Sequence, residues 1–143
     1  MNMKIGMTGT RFGLTEQQLK TFDSTFTLLE MEEFHHGDCV GADAEIANRI
    51  REIVREKGLS LTIISYPCTI TKARAYTEAD EIRLPTDPLD RNRLIVDSVD
   101  MMVAFPGKMK EQQRSGTWFT IRYARKQGVP LAIFWPDGTM TND

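Results

Sequence analysis

The stretch Lys4-Ile5-Gly6-Met7-Thr8-Gly9-Thr10-Arg11-Phe12-Gly13 decides the fold. Lys4 to Thr8 is a short apolar run that reads as a strand, and it breaks at once into a loop of glycine and threonine. Beyond the loop, Leu19, Phe22, Phe26 and Leu29 recur at spacings of three and four. That period predicts an amphipathic helix over Thr15 to Glu30, with Thr15 as its N-cap. Strand, glycine loop and helix in this order form the opening unit of a parallel α/β sheet.

The same unit recurs along the chain. Glu33 to His36 reads as a second strand; after a turn over Gly37 to Gly41, Ile46, Ala47, Ile50, Ile53 and Val54 mark a helix that stops at Lys57-Gly58. Leu61 to Tyr66 is a third strand, Asp90 to Ser98 a helix, Met101 to Phe105 a fourth strand, Gly116 to Lys126 a helix, and Val129 to Trp135 a fifth strand. Pro67 to Pro88 has no clean period and reads as a long excursion, while Thr139 to Asp143 reads as a frayed end. With right-handed crossovers, five strands give a doubly wound, mainly parallel, Rossmann-like sheet of spatial order 3-2-1-4-5 with helices on both faces. A ligand crevice is then expected at the carboxyl ends of the first and fourth strands, where the strand order reverses.

The 143 residues, 41% of them apolar, suit one domain with a single core. Eighteen basic and twenty acidic residues leave a net charge of −2. That balance argues against coating of nucleic acid, which depends on clustered Lys and Arg, but leaves room for one local basic pocket. No apolar run approaches a membrane span and no signal segment is evident, so the expectation is a cytoplasmic protein. Cys39 and Cys68 read as reduced thiols, and no Cys/His spacing suggests structural zinc.

Candidate binding residues gather at the predicted carboxyl ends. Gly9, Thr10 and Arg11 follow the first strand; Gly37, Asp38, Gly41 and Ala42 follow the second; Arg114, Ser115, Gly116 and Thr117 open the helix after the fourth. Glycine lets backbone N–H groups approach a ligand, helix N-termini favour anions, and arginine offers forked donors that match phosphate. Arg91 and Asn92 stand at the start of a helix, where they can reach the same crevice, although Arg91 reads equally well as a surface ion pair. Three such loops converging on one crevice point to a phosphate or nucleotide site.

Gly9-Thr10-Arg11, His36-Gly37-Asp38-Cys39-Val40-Gly41-Ala42-Asp43, Arg91-Asn92-Arg93 with Asp97 to Asp100, and Arg114-Ser115-Gly116-Thr117 with Ala124 and Gly128 resemble, in order and spacing, the SLOG superfamily. This Rossmann-like group includes the LOG-type nucleotide phosphoribohydrolases and the DNA-processing protein A. The likeness runs from Lys4 to Gly138 and is greatest to small stand-alone bacterial and phage members with HHGDxxGADA and RSGTW strings. The resemblance implies a nucleotide-like ligand and a homo-oligomer, with no required cofactor beyond a bound nucleotide. LOG-type enzymes carry a catalytic glutamate where this chain has Thr120, whose hydroxyl cannot stabilise an oxocarbenium-like centre as a carboxylate does.

The leading expectation is therefore a protein that binds a phosphorylated nucleoside or an NAD-derived nucleotide, as a sensor or by sequestration. The alternative is an N-glycosidic hydrolase or transferase in which Asp38 or Asp43 replaces the missing glutamate; a further one is a single-stranded nucleic-acid binder. Asp38 and Asp43 could equally hold a ribose or divalent metal, or merely fix a turn and support a helix start. Lys72 and Arg74, with Tyr76, are candidates for a lid from the excursion. His35 and His36 read as one partly buried and one exposed side chain rather than a metal pair. Trp118 and Tyr123 read as core or rim, and Met101, Met102 and Met109 as ordinary apolar filling.

Overall fold

In the computed structural model, which describes residues 3–26 and 30–143, a seven-stranded sheet runs through the molecule. In chain order the elements are β1 (Met3–Gly9), α1 (Glu16–Thr25), β2 (Met31–His36), α2 (Ala42–Lys57), β3 (Thr62–Ser65), β4 (Glu81–Ile82), α3 (Pro88–Asp97), β5 (Met101–Phe105), α4 (Gly116–Gln127), β6 (Leu131–Phe134) and β7 (Met140–Asn142). The sheet order is β4-β3-β2-β1-β5-β6-β7, with β6/β7 the one antiparallel pair. The inner five strands follow the expected order, and two short edge strands extend it.

Alternation along the strands builds two cores. Ile5, Met7, Phe34, Ile63, Val103, Phe105 and Phe134 point to one face, where Phe22 of α1 and Ile46, Ile50 and Val54 of α2 cover them. Ile64, Met102, Ala104, Leu131 and Ile133 point to the other, under Ile95 and Val96 of α3 and Trp118, Ile121 and Ala124 of α4. Gly6 lies where α3 presses closest, since a Cβ there would stand 2.8 Å from both Ile95 Cγ2 and Met102 Sδ.

Thr15 caps α1 as expected: its Oγ1 accepts from Gln18 N at 3.1 Å, and Gln18 Oε1 accepts from Thr15 N at 2.9 Å. The helix ends at Thr25, short of the predicted Glu30, and Leu29 of that prediction lies outside the described residues. The N–H of Phe26 still reaches Phe22 O, but its own backbone is extended.

The tail is not frayed. β7 pairs with β6 after the Pro136-Asp137-Gly138 turn, and Trp135 Nε1 donates to Thr141 Oγ1 at 2.9 Å. An ion pair between Arg125 and Asp143 holds the last residue. The excursion is also more ordered than its sequence suggests. Its β4 pairs with β3, a 3-10 turn spans Thr71–Ala73, and Asp80 Oδ2 accepts from Ile63 N at 2.8 Å while paired with Arg51.

His35 and His36 are both buried, because β2 is an inner strand with helices over each face. His35 stacks on Tyr66 and meets its hydroxyl at 2.8 Å; His36 faces the other way, beside Phe34. Met109, expected as filling, is half exposed.

Candidate functional site

β1 and β5 lie side by side at the centre of the sheet, yet the chain leaves β1 toward β2 and leaves β5 toward β6. The loops at their carboxyl ends therefore diverge and leave a crevice. It holds a cavity of about 540 Å³ lined by Thr8 to Gly13 from the β1–α1 loop, Gly107, Lys108, Gln112 and Arg114 from the β5–α4 loop, and the start of α4. Gly37, Cys39 and Asp43 from the β2–α2 segment, with Arg91, Asn92 and Ile95 from α3, complete the wall.

Arg11, Arg91 and Arg114 all line this cavity, together with Lys108. Among the described residues, every other arginine of the chain has a carboxylate within salt-bridge distance, while these three have none. At the mouth, Arg11 and Arg114 are exposed, so their guanidinium donors are free for a ligand. The first turn of α4 adds backbone donors of its own; Ser115 Oγ accepts from Trp118 N at 3.2 Å and holds that turn in place.

At the cavity floor the arrangement is more constrained. Arg91 is buried, donating from Nη1 to Gly37 O at 2.7 Å and Tyr66 O at 2.9 Å, and from Nη2 to Cys39 Sγ at 3.4 Å. It makes no ion pair among the described residues; these donors join three segments, and one Nη2 N–H is left over. Its Nε donates to Asn92 Oδ1 at 2.7 Å, which orients the Asn92 amide so that Nδ2 remains a donor. That amide stands near Gly116, at the N-terminus of α4.

Among the described residues Asp43 is the one carboxylate of the cavity lining, and it is 6% exposed. Its Oδ2 accepts from Gly37 N at 3.0 Å and Cys39 N at 3.3 Å, while Oδ1 has no partner among the described residues. Burial pushes the carboxyl up to about 6, against the pull of Arg91 and the two N–H groups. Burial also raises the Cys39 thiol to about 11, with Asp43 adding to the rise, so the thiol stays protonated at neutral pH. A Cβ on Gly37 would meet Arg91 Nη1 at 2.6 Å and Asp43 Oδ2 at 2.9 Å, so the floor closes only around glycine.

Several sequence candidates lie elsewhere. Asp38 is fully buried and outside the cavity lining; its Oδ1 accepts from Thr77 N at 3.0 Å and Thr77 Oγ1 at 2.7 Å, and its Oδ2 from Arg74 Nε at 3.0 Å. A carboxylate so engaged is a clasp for the excursion rather than an acid or base. Burial opposes its ionisation, but the bonds from Thr77 and Arg74 outweigh that and hold it below the usual carboxylate range. Arg74 is thereby fixed to Asp38 and under the Tyr76 ring, and neither it nor Lys72, the two residues expected as a lid, lines the cavity.

Gly41 and Ala42 do not line the cavity either. Gly41 has φ of 97°, and a Cβ there would fall 2.4 Å from the Arg11 carbonyl carbon; Ala42 packs on Gly9 and donates its N–H to Thr10 O at 2.9 Å. They clamp α2 against the β1–α1 loop. Thr120 is buried and donates back to Gly116 O at 2.9 Å.

Lys108, Gln112 and Cys39 reach the cavity although sequence reasoning did not single them out. Lys108 was in principle findable, since it stands three residues past β5 at the same carboxyl edge. Among the described residues no group of three or more His, Cys, Asp or Glu is arranged to hold a metal ion, and no helix is long and apolar enough to cross a membrane.

No protein-family model matches the chain, and no curated protein matches it. Among solved structures, it is similar to the X-ray structure of the structural-genomics protein TM1055, with a TM-score of 0.62 and 16% identity, over 90% of this chain and 71% of that one. The likeness is one of fold: an α/β architecture with a mostly parallel sheet and helices.

Proposed function

We propose that this is a SLOG-type protein that binds a phosphorylated nucleoside or an NAD-derived nucleotide in the crevice between β1 and β5. One observation carries the reading: the three arginines without a carboxylate partner among the described residues are the three that line the cavity. An anion there gains forked donors from Arg11 and Arg114, the N-terminus of α4 and the Asn92 amide. A volume of about 540 Å³ suits a nucleotide-sized ligand.

The test is thermal unfolding with AMP, NAD and ADP-ribose added separately. A ligand that binds the native state at a hundred times its Kd stabilises by about 2.7 kcal/mol. At least one of the three should raise Tm by several degrees, and Arg114→Ala, a change at an exposed side chain, should abolish the rise. No shift with any ligand, or the same shift in the variant, refutes the reading.

A second reading, N-glycosidic hydrolysis or transfer, is supported by Asp43 alone, which combines a free carboxylate oxygen with a value near neutrality. Free base or nicotinamide released by the wild type and absent with Asp43→Asn would favour it. With no release, the protein acts by binding, as a sensor or by sequestration.

A further inference from the structure

Phe12 is 85% exposed, yet it belongs to the cavity wall and is the one aromatic residue there among the described residues. Large apolar side chains do sit singly on protein surfaces, so exposure by itself says little. The setting of Phe12 says more.

Its loop is not loose. Thr10 N donates to Phe105 O at 3.0 Å, Ala42 N to Thr10 O at 2.9 Å, and Phe12 N to Thr10 Oγ1 at 3.2 Å. On the far side, Leu14 N donates to Glu45 Oε1 at 3.2 Å, and Gly41 packs directly on the Arg11 backbone. Both flanks of Phe12 are thus tied to the rest of the fold, and its ring is carried on a fixed support. The Arg11 guanidinium stands 5.0 Å from the ring centroid and occupies one face. With 85% of the residue exposed, the ring keeps open surface beyond that contact.

A phenyl ring carried on a well-tied loop at the rim of a cationic cavity is the platform a planar aromatic group uses. The ring offers no hydrogen bonds and does not select by charge, so a bare phosphate or sugar phosphate gains little from it. A heterocyclic base does gain, because stacking removes apolar area on both partners from water.

We infer that Phe12 is the base-stacking residue of this site: the ligand carries a heterocyclic base that lies on the Phe12 ring while its phosphate lies at Arg114 and the N-terminus of α4. This rests on the nucleotide-binding reading and adds to it an orientation and a specificity determinant. Discrimination between nucleotides and base-free sugar phosphates is then located in one side chain of the β1–α1 loop.

The experiment is calorimetric titration of wild type, Phe12→Ala, Phe12→Leu and Phe12→Trp with AMP and with ribose 5-phosphate, which differ by the base. Wild type is expected to prefer AMP by roughly five- to a hundredfold, the range that base–aromatic stacking supplies. Phe12→Ala should bring that ratio close to one by weakening AMP alone, Phe12→Leu should recover little of it, and Phe12→Trp should keep or raise it. Ribose 5-phosphate affinity should be the same in all four proteins, and the exposed position keeps each variant folded. An AMP preference that survives in Phe12→Ala, or a wild type that binds both ligands equally, overturns the stacking role while leaving the anion site standing. If neither ligand binds the wild type, the stacking role falls, whereas the nucleotide reading falls only if NAD and ADP-ribose also leave Tm unchanged.

Discussion

Replacing Asp38 by alanine separates a structural carboxylate from a catalytic one. The side chain is fully buried and receives three hydrogen bonds, from Arg74 Nε at 3.0 Å, Thr77 N at 3.0 Å and Thr77 Oγ1 at 2.7 Å. Each bond to a charged group contributes about 1.5–3 kcal/mol, but Arg74 and Thr77 regain water where they can, so removing one partner of such a buried cluster costs about 3–5 kcal/mol in total. Asp38 also has φ of 53°, a left-handed conformation that aspartate tolerates better than alanine does. We take about 4 kcal/mol as the cost, which for a domain of this length lowers Tm by roughly 15 °C. Asp38→Asn keeps an acceptor for Thr77 and suits the backbone angle, and it should lose about a third as much.

The assay is thermal unfolding of both variants, with ligand affinity or base release measured well below their transitions. Because Asp38 lies outside the cavity lining, that affinity should match the wild type. The clasp also predicts acid sensitivity. A folded-state value below the unfolded one gives stability that is present above the unfolded value of about 3.9 and is lost as pH falls through the folded one. The reasoning is refuted if Asp38→Ala leaves Tm within about 2 °C of wild type, or if Asp38→Asn abolishes ligand binding or turnover at unchanged Tm.

Asp43 should show the opposite pH signature. With its carboxyl raised to about 6, the protonated form is favoured by folding, so its stabilisation is full below the unfolded value and is lost as pH rises through about 6. Between pH 3.5 and 7.5, chemical denaturation should show the stability of Asp43→Asn gaining on that of wild type by about 3 kcal/mol; parallel pH profiles would sink the assignment. Gly6→Ala forces a methyl to within 2.8 Å of Ile95 Cγ2 and Met102 Sδ. The thioether can shift but the β-branched side chain cannot, and a loss of about 2 kcal/mol is expected in urea unfolding. An unchanged midpoint would mean that α3 does not bear on β1 so closely.

How much of the fold was legible can be read from the elements themselves. β1, β3, β5 and β6 are largely apolar runs ending in glycine, proline or cap signals, β2 (Met-Glu-Glu-Phe-His-His) stands between two helical stretches, and those helices carry a 3.6-residue period, so element type and order followed from pattern. β4 and β7 left no such trace. Two residues at the surface, or a Met-Thr-Asn edge, bury too little to show periodicity, and they are strands because a neighbour offers an open ladder. His35 and His36 were misjudged for a related reason: their burial follows from β2 being an inner strand, which is a property of the assembled sheet.

The candidate site divides along the same line. By itself, the sequence determined that glycine, threonine and arginine fall at the carboxyl ends of strands, because short-range pattern marks where each strand stops. Only the tertiary structure decided which of those residues face the crevice. Asp38 and Asp43 are five residues apart in one motif, yet one clasps Thr77 and the other sits on the cavity floor. Likewise, Gly41 packs on the Arg11 backbone while Gly37 leaves room between Arg91 and Asp43. Those outcomes depend on partners 36 to 54 residues away, Arg74 and Thr77 for Asp38 and Arg91 for the floor, as the long-range hydrogen bonds show. Local pattern carries no information about such partners, and the closing of the sheet brings them together.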